Sequence, residues 1–466
     1  MKRLSFLLFV ALAAASPAAA QTSPQPRVEA ALAEAPLGTR FGLLVTTEDG
    51  RELIAINPDG RFIPASNTKL LTTAAAFATM ANLDRPDAAG GASVRLDGRD
   101  VVLTGHGDAR LSSAADCVIN CLAALADAIA ARTRRVRDVI GDDSLFPDQR
   151  WSPGMSWNNI HTRSGTAISA LSLDDNELVL SVSPGSAGAA PTLEHMGYYE
   201  VINRAVTAAE GETALRFARL PGSRTVELSG RIAAGAAPQT LRLGIDDPAH
   251  HAAWRLRALL AERGVRVTGD IRVRHRQGDT PPQPGPAPLA RLVPPPLAAD
   301  LDRINRESQN LHAELLIRRL GLVRGNGSIE DGVAEIAAML ERAGAARTGW
   351  DLSDGSGMST YNRLSPRATV ALLRWAAAQP WGAAWRSTFP VAGVDGTLSN
   401  RFRGTPLERR LFAKTGTLNA SNALSGYMIA RSGRTLIFSF FANDVPGGGG
   451  VTPTMDQVLQ LIAEAY

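Results

Sequence analysis

The sequence predicts an α/β (α+β) domain that is formed by both ends of the chain and interrupted by a β-rich insertion. One end reads as two strands joined by an Asp-Gly turn and followed by a helix, in FGLLVTTEDGRELIAINPDG and SNTKLLTTAAAFATM. The other end holds three strand-like runs and an amphipathic helix, in LFAKTGTLNASNALSGYMIARSGRTLIFSFFAND and TMDQVLQLIAEAY. Between them, alternating runs such as NELVLSVSPG and TVELSGRIAAG indicate further strands.

Five segments follow from these patterns. They are a signal peptide at 1–20, the N-terminal part of the main domain at 21–88, an inserted β-rich region of two subdomains at 89–280, a proline-rich linker at 281–296 and the C-terminal part of the main domain at 297–466. The linker holds eight of the chain's 28 prolines. So many prolines are incompatible with a helix interior or a central strand, which favours an extended segment.

The first residues are typical of export. Lys2 and Arg3 precede the apolar run LSFLLFVALAAA, and SPAAAQ offers small residues for cleavage near Ala20. The run is too short to cross a bilayer, so a secretory signal peptide is favoured over an uncleaved anchor. No later segment has the ~20 apolar residues of a membrane helix, so no integral membrane segment is expected.

Composition excludes several classes of function. A hydrophobic content of 45% and a net charge of +4 describe a soluble globular protein, and its arginines are scattered among acids, which disfavours nucleic acid as a partner. The histidines form no ligand pair, so neither a metal nor a cofactor is predicted. Cys117 and Cys121 lie in SAADCVINCLAALADAIA, which reads as a helix. Helical geometry suits a disulfide poorly, and whether the two cysteines are bridged stays open.

Lysine is rare, and its positions indicate chemistry. The chain has 49 basic residues, of which only Lys2, Lys69 and Lys414 are lysines. On a helix Ser66 and Lys69 share a face, so the amine can reach the hydroxyl. A lysine whose pKa is lowered by burial and nearby positive charge can take a proton from serine, whereas arginine stays charged. The pattern predicts a nucleophile, Ser66, and its base, Lys69.

Two further motifs complete the pattern. Ser308 and Asn310 form an S-x-N arrangement in RESQNLHAELL, and Lys414 begins K-T-G in FAKTGTL. Each motif alone has an ordinary explanation, since a serine can cap a helix or lie on the surface and a lysine can be solvated. Together and in this order, S-x-x-K, S-x-N and K-T-G are typical of penicillin-recognising serine enzymes.

Nearly the whole mature chain resembles one family, in segments such as PASNTKLLTTAAA, SALSLDDNELVLSVSPG, LSDGSGMSTYNRLSP and VAGVDGTLSNRF. This is the class C low-molecular-mass penicillin-binding proteins, the D-alanyl-D-alanine carboxypeptidase/endopeptidases of the penicillin-binding protein 4 type. The resemblance implies a serine β-lactamase/DD-peptidase-like domain, in which helices flank an antiparallel sheet. The long interval between Lys69 and Ser308 agrees with the inserted domains of that family.

The resemblance also implies roles for individual residues. The implied catalytic residues are Ser66, Lys69, Ser308, Asn310 and Lys414, and the implied substrate-binding residues are Thr415, Gly416, Thr417 and Ser356. The N–H groups of Ser66 and Thr417 would form the oxyanion hole. The chain departs from the family pattern where HTRSGTAI stands in place of a tyrosine-rich stretch, so no contact to the peptide side chain is predicted there, including any by Trp157.

The expected activity is that of a periplasmic serine DD-peptidase. It would cleave peptidoglycan stem peptides as a D-Ala-D-Ala carboxypeptidase, a DD-endopeptidase or both, and β-lactam antibiotics would acylate it. A β-lactamase or esterase on the same scaffold and a non-catalytic wall-binding protein are the alternatives. The sequence leaves the choice between the two peptidase activities, the stem-peptide specificity and the oligomeric state open.

Overall fold

The computed structural model describes residues 23–278, 286–447 and 450–466. The predicted signal peptide (1–20) and the first part of the predicted linker (281–285) therefore lie outside the described residues. Within the described ranges the helices are α1 Gln25–Ala33, α2 Thr68–Thr79, α3 Leu122–Arg132, α4 Pro248–Glu262, α5 Ala298–Arg306, α6 Asn310–Gly321, α7 Ile329–Arg342, α8 Pro366–Ala377, α9 Gly382–Ser387 and α10 Thr452–Ala465.

The strands of the same ranges are β1 Arg40–Thr47, β2 Glu52–Ile56, β3 Ala92–Asp97, β4 Asp100–Gly105, β5 Arg135–Val136, β6 Val139–Pro147, β7 Glu177–Ser183, β8 Thr192–His195, β9 Glu200–Asn203, β10 Val206–Ala208, β11 Ala214–Ala218, β12 Thr225–Ala233, β13 Gln239–Gly244, β14 Arg266–Val267, β15 Ile271–Arg276, β16 Ala290–Arg291, β17 Trp350–Asp351, β18 Arg363–Leu364, β19 Leu411–Leu418, β20 Ser421–Ile429 and β21 Thr435–Asn443.

The main sheet joins the two ends of the chain. Its five strands run antiparallel in the order β19-β20-β21-β1-β2, so the last strand of the chain pairs with the first. Alternate residues of a strand point to opposite faces, and β1 shows the result. Phe41, Leu43 and Val45 pack in a core with α1 and α10, whereas Leu44 belongs to the core under α2, α6, α7 and α8.

Helix α2 is the central element of the second core. Every residue from Thr68 to Ala76 is buried, because the helix lies between the sheet and the other helices. A helix that is enclosed on all sides holds its side chains in one arrangement. The residues that begin α2 are therefore rigidly placed relative to β19.

The inserted region has sheets of its own. One has the order β15-β6-β4-β3-β16 and packs against α3 and α4, another has the order β13-β7-β8, and a third has the order β10-β12-β11 with β9 also pairing β12. Ala290 pairs with Val94 of β3, so part of the proline-rich segment adds a short strand to the first of these sheets. The segment boundaries given above remain predictions.

The helix predicted across both cysteines is wrong in its first part. Helix α3 begins only at Leu122, and Cys117 and Cys121 form a disulfide in the loop before it. Asn120 adopts a left-handed backbone conformation and donates a hydrogen bond from its amide to Asp108. A residue with positive φ ends helical geometry, which brings the two cysteines into reach of each other.

Two absences hold for the part of the chain that the structure describes. No helix there combines the length and the apolar character required to cross a bilayer. No group of three or more His, Cys, Asp or Glu side chains there is arranged to hold a metal ion.

Candidate active site

The site begins at the tight turn that leads into α2. Residues Ala65–Asn67 form one turn of 3-10 helix, and Ala65 has a φ of 47°. A non-glycine residue in this region is strained, and such strain is concentrated at functional sites. The turn leaves Ser66 partly exposed while Lys69, one helical turn later, is completely buried.

Lys69 lies among three oxygen acceptors. Its Nζ is 2.9 Å from Ser66 Oγ, 2.7 Å from Asn310 Oδ1 and 2.6 Å from the main-chain oxygen of Ser356. Burial lowers the pKa of Lys69 from 10.5 to about 7, although the carboxylates of Asp354 and Glu314 act in the opposite direction. The amine is thus uncharged in a large fraction of molecules at neutral pH, and in that form it can accept the proton of the Ser66 hydroxyl.

Lys414 supplies a second buried amine. It lies on β19, and its Nζ donates to Ser308 Oγ at 2.9 Å and to the main-chain oxygen of Thr415 at 3.0 Å. Burial, and after it the charge of Lys69, hold the pKa of Lys414 well below its usual range. The two lysines therefore each face one serine hydroxyl, Ser66 and Ser308.

Ser308 lies at a break between two helices rather than within one. Helix α5 ends at Arg306, Ser308 has a φ of 63°, and α6 begins at Asn310. A left-handed residue stops helical geometry, so α5 and α6 are separate helices. The break turns Ser308 toward Lys414 and lets Asn310 reach Lys69 from the first turn of α6.

The inserted region reaches the site through its main chain. Asn310 Nδ2 donates to the carbonyl oxygen of Ser164 at 3.0 Å. Ser164 lies in the HTRSGTAI segment, where the chain departs from the family pattern. A carbonyl contact needs no particular side chain, so side-chain patterns gave no signal for it. Trp157 is two-thirds exposed, at 67%, and takes no part in this contact.

Strand β19 forms the edge of the main sheet beside Ser66. A side chain at Gly416 would come within 2.7 Å of the Pro64 carbonyl oxygen and 3.1 Å of the Ser66 nitrogen, so only glycine allows this close approach. Asn67 Nδ2 holds the strand by donating to the Lys414 carbonyl oxygen at 2.9 Å. Thr415 is partly buried and Thr417 is exposed, so both lie along the open side of the strand.

Two functional candidates, Thr397 and Glu314, were absent from the sequence interpretation. Thr397, in a short turn before β19, accepts a hydrogen bond from Thr415 Oγ1 at 2.7 Å. Glu314 and Asp354 place two buried carboxylates behind Lys69. The spacing of Glu314, four residues after Asn310 on α6, is a signal that could have found it.

Ser356 contacts Lys69 through its main chain. The residue is completely buried, its carbonyl oxygen contacts Lys69, and its hydroxyl stays within its own loop, where it accepts from the Met358 N–H at 3.3 Å. The structure thus brings together Ser66, Lys69, Ser308, Asn310 and Lys414 by side chain and Ser356 by main chain. Substrate roles for Thr415, Gly416, Thr417 and Ser356 remain predictions.

Known proteins resemble this chain over nearly its full length. The D-Ala-D-Ala carboxypeptidase 3 (S13) family matches residues 25–465. The D-alanyl-D-alanine carboxypeptidase of Actinomadura sp. (strain R39) is 33% identical over 491 residues, which cover 98% of this chain and 89% of the relative. Carboxypeptidase DacB of Mycolicibacterium smegmatis is 28% identical over 448 residues, which cover 92% and 82% of the two chains.

The fold also resembles a solved structure. Penicillin binding protein 4 (dacB) from Haemophilus influenzae superimposes with a TM-score of 0.80 at 21% identity, over 94% of this chain and 99% of the other. The predicted fold class, an α/β (α+β) domain with a helix-flanked antiparallel sheet and a β-rich insertion, is thereby confirmed.

Proposed function

The chain belongs to the D-Ala-D-Ala carboxypeptidase 3 (S13) family, and we propose that it is a serine DD-peptidase whose acyl-enzyme forms on Ser66. Its substrate is the D-Ala–D-Ala end of peptidoglycan stem peptides, and its activity is that of a serine-type carboxypeptidase. The family predicted from the sequence is confirmed. One observation carries the assignment of the nucleophile: the completely buried Lys69 amine lies 2.9 Å from Ser66 Oγ.

Acylation follows from the placement of the two serines and two lysines. Uncharged Lys69 takes the Ser66 proton as Oγ bonds to the carbonyl carbon of the penultimate D-Ala. When the tetrahedral intermediate collapses, the C–N bond breaks and the electron pair goes to the leaving nitrogen. The proton held on Lys69 reaches that nitrogen by way of Ser308, which is hydrogen-bonded to Lys414. D-Ala leaves, and an ester on Ser66 remains.

Charge that develops on the carbonyl oxygen needs donors close to Ser66. The N–H groups of Ser66 and Thr417 are the proposed pair, and the close approach of Gly416 to the Ser66 nitrogen supports this. Thr415 and Thr417, with the nearby Lys414 amine as a further hydrogen-bond donor, form the proposed site for the terminal carboxylate. Water then attacks the ester carbonyl carbon while Lys69 accepts a proton from it. The bond between that carbon and Ser66 Oγ breaks, and the serine oxygen takes the proton back from Lys69, which restores both residues.

The peptide class and the compartment are further proposals. The same acyl-enzyme chemistry applies to a cross-link whose leaving amine belongs to a second stem peptide, so DD-endopeptidase activity is the second activity to test. The N-terminal residues 1–20 support export to the periplasm with cleavage near Ala20. β-Lactams, which mimic the scissile amide, are the proposed inhibitors.

The test measures a covalent adduct and the products. Intact-mass spectrometry after incubation with benzylpenicillin should show one added penicillin on the wild type, none on Ser66→Ala, and one on the control Ser432→Ala in an exposed turn. Rapid release of the adduct would indicate a β-lactamase instead, and no adduct would indicate a non-catalytic protein. Purified muropeptide monomers and cross-linked dimers then distinguish carboxypeptidase from endopeptidase activity.

A further inference from the structure

Glu314 is a buried carboxylate that the proposed reaction does not use. It lies on α6, one turn after Asn310, and only 3% of the residue is exposed. Its Oε1 accepts hydrogen bonds from the N–H groups of Gly355 at 3.0 Å and Ser356 at 2.9 Å. The carbonyl oxygen of Ser356 is the one that contacts Lys69. A single carboxylate oxygen therefore holds the segment that binds the proposed base.

The segment is also held against α6 by close packing. A side chain at Gly355 would meet the Ala313 carbonyl oxygen at 2.7 Å, and the Gly355 carbonyl oxygen accepts from Thr72 Oγ1 of α2 at 2.7 Å. Residues 355 and 356 thus bridge the helix that carries Lys69 and the helix that carries Asn310. Because every polar group of this bridge has a partner, the Ser356 oxygen has little freedom to move.

Glu314 also forms a buried ion pair within its own helix. Its Oε2 lies 2.9 Å from Arg318 Nη1, and Arg318 also donates to the carbonyl oxygens of Glu314 and Gln149. The other charged groups around it are Asp354 on the same loop, Arg150 of the inserted region, which lines the same pocket, and Lys69 itself, with Lys414 behind Lys69. The negative charge of Glu314 favours the protonated form of Lys69 and raises its pKa.

We infer that Glu314 is a positioning residue for the proposed acylation: it holds the Ser356 carbonyl oxygen against Lys69 and places a negative charge behind that lysine. The inference rests on the proposed function, because it assumes that uncharged Lys69 activates Ser66. Burial alone would make Lys69 a weaker base that loses its proton at lower pH. Glu314 opposes this, so its charge sets the pH at which the amine becomes the uncharged base.

The experiment compares the pH dependence of penicillin acylation in four proteins. Glu314→Gln keeps an oxygen that can accept from both N–H groups but removes the charge. The acid limb of its profile should move about one pH unit lower, which makes acylation at pH 6 about fivefold faster than in the wild type and leaves the rate at pH 8.5 unchanged. A merely structural role would slow acylation at every pH instead.

Two further variants complete the design. Glu335→Gln removes another buried carboxylate, one that pairs with Arg324 away from Lys69, and its profile should match the wild type. Arg318→Gln leaves Glu314 without its cation, so the acid limb should move to higher pH. A Glu314→Gln profile that coincides with the wild type, or a Glu335→Gln profile that shifts equally, would overturn the inference. A wild type that is not acylated at all would overturn the proposed function and, with it, this inference.

Discussion

Replacing Lys69 by arginine tests whether the proposed base must lose its proton. Lysine and arginine carry the same charge when protonated and both can donate to Ser66, Asn310 and the Ser356 carbonyl oxygen. They differ in how readily they give up a proton, because the guanidinium pKa stays above ~12 in proteins. Lys69→Arg therefore keeps the positive charge and removes the base.

The magnitude follows from the pKa of Lys69. With a pKa of about 7, about nine-tenths of the lysine is uncharged at pH 8, whereas the uncharged fraction of an arginine is about 10⁻⁴ or less. If the uncharged amine is the reactive form, acylation should slow by about 10⁴-fold at pH 8. The larger guanidinium adds steric strain in a completely buried position, which can only increase the loss.

Stopped-flow fluorescence with a labelled penicillin measures the acylation rate directly. The matched control is Arg319→Lys. Arg319 lies on α6 and forms a buried ion pair with Asp87, and its replacement exchanges the same two residue types in the opposite direction. It should acylate at the wild-type rate, with its folding checked by thermal denaturation. A Lys69→Arg protein that folds and acylates within tenfold of the wild type would refute the idea that an uncharged amine activates Ser66.

Three other predictions concern pH, the disulfide and the carboxylate site. Wild-type acylation should rise about tenfold from pH 6 to pH 8, because Lys69, with a pKa of about 7, is active when it has lost its proton; a flat profile in stopped-flow measurements would contradict this. Replacing Cys117 and Cys121 together by serine should lower the free energy of unfolding by about 2 kcal/mol in denaturant titrations. The acylation rate should stay unchanged, because the bridge lies in the inserted region. An altered rate would show that the disulfide influences the site of acylation. Thr397→Val removes the acceptor for the Thr415 hydroxyl. KM for a peptide ending in a free carboxylate should therefore rise about tenfold with kcat little changed, whereas KM for the same peptide ending in an amide should stay the same. Equal effects on both peptides would exclude a role in carboxylate recognition.

Local spacing explains why part of the site was accessible from the sequence. Ser66 and Lys69 are three residues apart at the start of a helix, and helical geometry brings such residues together whatever the rest of the fold does. Ser308, Asn310 and Lys414 were found by their motifs and order. Their distances to Ser66 and Lys69 depend on the packing of α2, α6 and β19, which no local rule provides.

Two breaks in helical geometry, at Asn120 and at Ser308, were not indicated by the local sequence. The Cys117–Cys121 segment has helical composition, yet Asn120 takes a left-handed conformation that ends the helical geometry there. Ser308 does the same between α5 and α6. A hydrogen bond to another segment, such as that from Asn120 to Asp108 or from Lys414 to Ser308, can outweigh helix propensity, which is worth only tenths of a kcal/mol per residue.

The amino-acid sequence by itself determined the layers of the main domain, the pairing of Ser66 with Lys69 and the chemistry of a serine activated by lysine, because these depend on periodicity, short-range spacing and side-chain type. Only the tertiary structure decided that the Ser164 carbonyl meets Asn310, that Thr397 meets Thr415, and that Glu314 holds the backbone of Ser356 behind Lys69. These contacts join segments that are far apart in the chain, and two of the three use main-chain atoms, which every residue carries. Burial, which lowers the pKa of Lys69, is likewise a property of the packed molecule.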